Sequence, residues 1–135
     1  MIKALTLSAL LATAASAAAG GEEPLSGAEF DAYTSGRTLT YMESGEIYGF
    51  EQYRPGRRVT WAFLDGQCED GWWYEREPAL ICFVYENEPE EQCWTFFDTG
   101  NGLRATFMGE EEGVTLYEAR RSERPLVCLG PEVGV

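Results

Sequence analysis

Histidine is absent from this chain, and Lys3 is its only lysine. The first absence removes the Ser–His and Cys–His nucleophile pairs and every imidazole metal ligand. The second removes Schiff-base chemistry and the phosphate-loop lysine. Charge of one sign is also scarce: 10 basic residues stand against 23 acidic ones, a formal net charge of -13. Nucleic acid, whose phosphates require a basic face, is thereby excluded as a partner. Long apolar runs are missing beyond the start, so no later segment offers a membrane span or anchor.

The first twenty residues read as an address. Lys3 supplies a positive start, Ala4 to Leu11 an apolar stretch, and Ala15-Ser16-Ala17 and Ala17-Ala18-Ala19 two small-x-small cleavage patterns. Residues 1–19 are therefore expected to be a cleaved signal peptide, and 20–135 one β-rich exported domain. The alternative is an N-terminal helix of the folded protein, but no polar second face supports it. Cleavage would take Lys3 away and move the charge from -13 to -14. No cysteine sits at the cut to carry a lipid, so the expected destination is the periplasm or the exterior.

Four cysteines in such a chain read as two disulfides. Three pairings exist. Cys82 and Cys93 flank the turn-rich Glu86-Asn87-Glu88-Pro89-Glu90, and a hairpin there would place them opposite one another. Cys68 and Cys128 would then tie the sheet to the C-terminal tail. The chain-entropy model assigns about 3 kcal/mol to the short loop and somewhat more to the long one. Zinc ligation is the alternative, but spacings of 14, 11 and 35 residues lack the close pairs zinc sites use. No metal site and no cofactor is expected.

The pattern along the chain predicts one short helix and then a meander. Leu25-Ser26-Gly27-Ala28-Glu29-Phe30 combines a capping serine, a glutamate three residues on, and a hydrophobic staple. Gly36 ends the helix. Period-two runs follow at Thr38–Met42, Ile47–Tyr53, Arg57–Leu64, Gly71–Glu75, Ala79–Tyr85, Cys93–Phe97, Leu103–Met108 and Val114–Ala119. The run Ala79–Tyr85 is apolar on both faces, as in a central strand. The fold class is mainly β, about eight short antiparallel strands as a curled sheet or small barrel, with the helix over one opening or one face.

No catalytic constellation emerges. Asp98-Thr99-Gly100 matches the aspartic-protease triplet, but a single copy needs a dimer, and a hairpin turn explains the same residues. Trp72 and Trp73 are candidate binding residues for a sugar or apolar ligand, although core and edge packing is the favoured account of them; alternation sends at least one outward, and that one is the pointer to a binding surface. Arg57 and Arg58, in Arg54-Pro55-Gly56-Arg57-Arg58, form the only basic cluster; the favoured reading is pairing with acidic neighbours such as Glu51, and a site for a carboxylate or phosphate is the alternative. The acidic runs at Glu69-Asp70, Glu86 to Glu91 and Glu110 to Glu112 read as solvated loops and lack a calcium-loop pattern.

Asp65-Gly66-Gln67-Cys68, Gly71-Trp72-Trp73-Tyr74, Leu80-Ile81-Cys82-Phe83-Val84-Tyr85-Glu86 and Gln92-Cys93-Trp94 together resemble a family of small exported bacterial proteins of unassigned function. The similarity runs from the helix at Leu25 to the tail at Pro131–Val135. It implies export and a compact disulfide-bonded domain, and transfers no catalytic residue. The functional expectation is a non-enzymatic module of the cell envelope that binds a small apolar or sugar-like ligand, or a cationic protein, with inhibition of that protein as the alternative role. A hydrolase using two facing carboxyl groups is the competing expectation, and a support role in an envelope assembly is a third.

Overall fold

A computed structural model describes residues 22–109 and 113–129. The proposed signal peptide lies outside them. Eight antiparallel strands pair in sequence order and close on themselves: β1 (Thr38–Glu43), β2 (Glu46–Arg54), β3 (Arg58–Ala62), β4 (Cys68–Glu77), β5 (Leu80–Tyr85), β6 (Gln92–Asp98), β7 (Leu103–Phe107) and β8 (Thr115–Ser122). Closure comes from β1 pairing with β8, Thr38 opposite Ser122 and Met42 opposite Tyr117. Every strand thus has two neighbours, which removes the exposed edges of an open sheet. The expected small barrel is what forms. In it, the two-faced apolar run Ala79–Tyr85 marks no centre: Ala79 sits in the turn with φ +64, and outward-facing Cys82 is covered by its own disulfide.

The helix α1 (Gly27–Thr34) precedes β1 and plugs one end. Its start is the capping box read from sequence: Ser26 Oγ accepts from Glu29 N–H at 3.1 Å, and Ser26 N–H donates to Glu29 Oε1 at 3.0 Å. Phe30 then points down the barrel axis and is fully buried. Its ring lies 4.3 Å from Phe96, 5.0 Å from Trp73, 5.5 Å from Tyr53 and 6.3 Å from Phe83, mostly edge to face. A single side chain so links β2, β4, β5 and β6 at the plugged end.

Alternation fixes which residues fill the barrel. In β3, Val59 and Trp61 face in; in β4, Glu69, Gly71 and Trp73 do; in β5, Ile81, Phe83 and Tyr85 do. Strand β4 begins three residues before the expected Gly71, so Glu69 belongs to the sheet and turns inward where a solvated loop was expected.

Both expected disulfides form. Cys82 and Cys93 are directly opposite on β5 and β6, and Cys68 joins Cys128. The tail crosses the outer wall from the plugged end to the other. Thr38 Oγ1 donates to the Arg124 carbonyl at 2.7 Å, Leu126 N–H to Gln52 Oε1 at 3.2 Å, and Leu129 N–H to the Gly66 carbonyl at 2.8 Å beside the bridge. Two disulfides and no free cysteine among the described residues fit an oxidising compartment. No helix among the described residues is long and apolar enough to cross a membrane.

Candidate functional site

The turns β1–β2, β3–β4, β5–β6 and β7–β8 gather at the end opposite α1, and there the barrel holds a cavity of about 270 Å³. Its lower wall is the same aromatic layer that Phe30 meets from beneath, Tyr53, Phe83 and Phe96. Higher up stand Tyr41, Trp61, Tyr85 and Trp94, and at the rim Tyr48, Phe63 and Glu88. Several exposed apolar side chains sit in these turns and strand ends: Ile47, Tyr48, Phe63 and Leu64.

Space for the aromatic rings comes from two glycines on the inner face. A Cβ at Gly49 would stand 2.2 Å from Trp61 Cζ2, so Trp61 lies flat across bare backbone. A Cβ at Gly71 would stand 2.3 Å from the Val84 carbonyl oxygen and 2.9 Å from the Tyr85 ring. Neither glycine has left-handed geometry; both are there for close approach.

Two carboxyl groups enter this aromatic space. Glu51 of β2, Trp61 of β3 and Glu69 of β4 form one row of cross-strand partners. Glu51 is 1% exposed. Tyr85 Oη donates to its Oε1 at 2.7 Å, while Oε2 is buried with no hydrogen-bond partner. Burial pushes the Glu51 carboxyl well above the usual range; the Tyr85 bond opposes that shift and nearby Glu69 adds to it. Glu69 accepts from Asn87 N–H at 3.1 Å and is also raised, first by burial, then by Glu88 and Glu86. Beside them, Tyr41 and Tyr53 share a hydrogen bond at 2.8 Å, their hydroxyls pushed up by burial. A neutral carboxylic acid at Glu51 would offer a donor and a weak acceptor to whatever enters.

The four sequence-nominated binding residues fall into two separate pairs and build no common site. Trp73 faces inward, 2% exposed, against Phe30. Arg57, in the β2–β3 turn with φ +60, lays its guanidinium 4.5 Å from the Trp73 ring centre and closes the plugged end. Trp72 and Arg58 are cross-strand partners on the outer wall, beside a shallow groove with Val84 and Glu86. Pairing of the basic turn with Glu51 is not what forms: Arg54 reaches Asp70 at 3.3 Å. Positions 51 and 54 differ by an odd number, so on one strand they face opposite ways. Asp98 is the exposed last residue of β6, and its Oδ1 accepts from Gly100 N–H in the following turn at 2.9 Å, the hairpin role expected of that triplet.

Sequence reasoning missed Glu51 and Glu69 as interior groups. The usable signal was alternation, Gly49-x-Glu51-x-Tyr53 and Glu69-x-Gly71-x-Trp73. Among the described residues the one Cys/Asp/Glu cluster tight enough for a metal ion is Cys82, Glu91 and Cys93. Both of its sulfurs are already joined in the disulfide. Comparison with protein-family models, with curated proteins and with solved structures returned no match.

Proposed function

We propose that the protein is an exported binding module that takes one small, mostly apolar molecule into the open end of its barrel. The observation that carries this reading is Glu51: a fully buried carboxyl whose second oxygen has no partner, set in a wall of aromatic rings. Burying a polar atom unpaired costs on the order of 1–3 kcal/mol, so such an atom inside an open cavity is best explained by a ligand that satisfies it. Eight-stranded barrels are just wide enough to hold one small ligand. A cavity near 150 Å³ accepts a benzene-sized molecule, so one of about 270 Å³ suits a body on the order of ten non-hydrogen atoms. Export by a cleaved leader, to periplasm or exterior, belongs to the same proposal and accords with the two disulfides.

The hydrolase reading has less support. Glu51 and Glu69 are two strands apart with Trp61 between them, so their backbones are about 9–10 Å apart, and one Glu69 oxygen already holds the Asn87 amide. The test is a tryptophan fluorescence titration with small aromatic compounds of neutral, cationic and anionic character. Trp61 and Trp94 line the cavity and should respond saturably. Ala105→Phe, which fills the cavity from β7, should abolish the response while the far-ultraviolet spectrum stays native. Binding unaffected by that filling, or no saturable binding by any compound, would defeat the proposal.

A further inference from the structure

Resting on that reading, we infer that the natural occupant is a small organic cation, an amine whose ammonium group is held by Glu51 and the surrounding rings. Nine of the fifteen residues lining the cavity are aromatic. Ring faces carry negative charge density and attract ammonium groups, most strongly where water is excluded. The ionisable groups in the lining besides the tyrosines are Glu51, Glu69 and Glu88, and among the described residues no arginine joins them. A carboxylate or phosphate ligand would therefore meet repulsion with no compensating donor cluster. A neutral ligand could bond to Glu51 but would leave the negative field of the other two carboxyls unused.

Two further features suit a cation. Tyr85 Oη donates to Glu51, which is the bond an ionised carboxylate needs, and it leaves the buried Oε2 without a partner of its own. The chain's net charge of -13 draws cations in by long-range attraction. The groups facing Glu51 are Glu69 on β4, Tyr85 on β5, Tyr41 on β1 and Tyr53 on β2; none is basic. Without a ligand, burial favours the protonated form of Glu51, so an entering ammonium displaces that proton. The step balances simply: Glu51 releases H⁺ to solvent, and the ammonium supplies the countercharge in its place.

Isothermal titration of the oxidised protein with 2-phenylethylamine, 2-phenylethanol and 3-phenylpropanoate distinguishes the ligand classes. Run in two buffers of different ionisation enthalpy, it also counts protons. The amine should bind at least tenfold more tightly than the alcohol, release close to one proton at mildly acidic pH, and tighten as the pH rises to 7.5; the propanoate should not bind. Glu51→Gln should weaken the amine at least tenfold and leave the alcohol within about threefold. Glu69→Gln, a smaller change of field at the rim, should weaken the amine two- to fivefold. If Glu51→Gln fails to fold, the amine-to-alcohol ratio and the proton count in the unaltered protein decide. An alcohol that binds as tightly as the amine, or a Glu51→Gln protein that keeps amine affinity, overturns the cation inference and leaves the cavity reading standing. If none of the three binds, the inference falls; if the broader aromatic set also fails, the cavity reading falls with it.

Discussion

The two ends of this barrel treat the same functional group in opposite ways. At the plugged end Glu75 accepts the N–H groups of Gly27 at 2.7 Å and Ala79 at 2.9 Å, and these amides hold its carboxyl below the usual range. Glu118 accepts Tyr33 Oη at 2.7 Å and Leu103 N–H at 3.1 Å, and its other oxygen pairs with Arg121 Nε at 3.4 Å. At the open end Glu51 has one donor, Glu69 has one amide, and both are raised. Carboxylates held by two donors stitch helix to sheet and turn to strand; Glu118 Oε1, like Glu51 Oε2, is buried without a hydrogen bond, but it has the Arg121 guanidinium beside it. A buried carboxyl left short of donors adds nothing to the fold by itself, and its presence in a cavity points to use.

Phe30→Ala should give the largest effect, because it empties the plugged end. The ring is fully buried among four other aromatics, and truncating such a phenylalanine costs about 3–5 kcal/mol. Urea unfolding would measure it; a loss below about 1 kcal/mol would mean that the helix is not what closes the barrel. The second test pits the two carboxyl classes against one another. Glu51 keeps its proton when folded and loses it in the ordinary carboxylate range when unfolded. Below that range both states are protonated and pH has no effect through this group. Above it the unfolded state has released a proton that the folded state still holds, so stability falls as pH rises, by up to about 1.4 kcal/mol per pH unit, until the folded group also ionises. Glu51→Gln should remove that slope and make the protein relatively more stable at alkaline pH. Glu75→Gln should instead destabilise above the ordinary carboxylate range and lose that effect as pH falls through it, since the amides of Ala79 and Gly27 favour the ionised form. Equal pH profiles for the two variants would erase the distinction between the ends.

Most of the barrel was legible because its signals are local. The capping box at Ser26 and Glu29, the alternation through Val59 and Trp61, and the turn between Cys82 and Cys93 each specify structure within a few residues. Closure of β1 on β8 was open in the sequence, since pairing 84 positions apart, Thr38 with Ser122, leaves no local trace. The site was harder still. Acidic residues are numerous, so Glu69 looked like solvated charge and Glu51 like a partner for the basic turn, and the interior assignment of Glu51 depends on a barrel packed tightly enough to need Gly49 under Trp61. Aromatic neighbours drew attention to Trp72 and Trp73, yet alternation had already divided them between wall and core.

Trp72→Ala should give the smallest effect, and it is the control on which the location of the site depends. Trp72 is 48% exposed on the outer wall, with a tilted contact to Tyr74 at 5.5 Å between ring centres. Removing an exposed side chain of this kind changes stability by about 0.5 kcal/mol or less. Its strand neighbour Trp73 faces the opposite way, so the interior should not sense the change. Affinity for the cavity's ligand should stay within twofold, and the ligand-induced fluorescence change should become a larger fraction of a dimmer total, because an emitter outside the cavity is gone. A loss of affinity with Trp72→Ala, with Ala105→Phe silent, would move the binding surface to the outer wall beside Arg58. Glu51 would then be a buried acid with no function, and the contrast between the barrel's two ends would be one of packing alone.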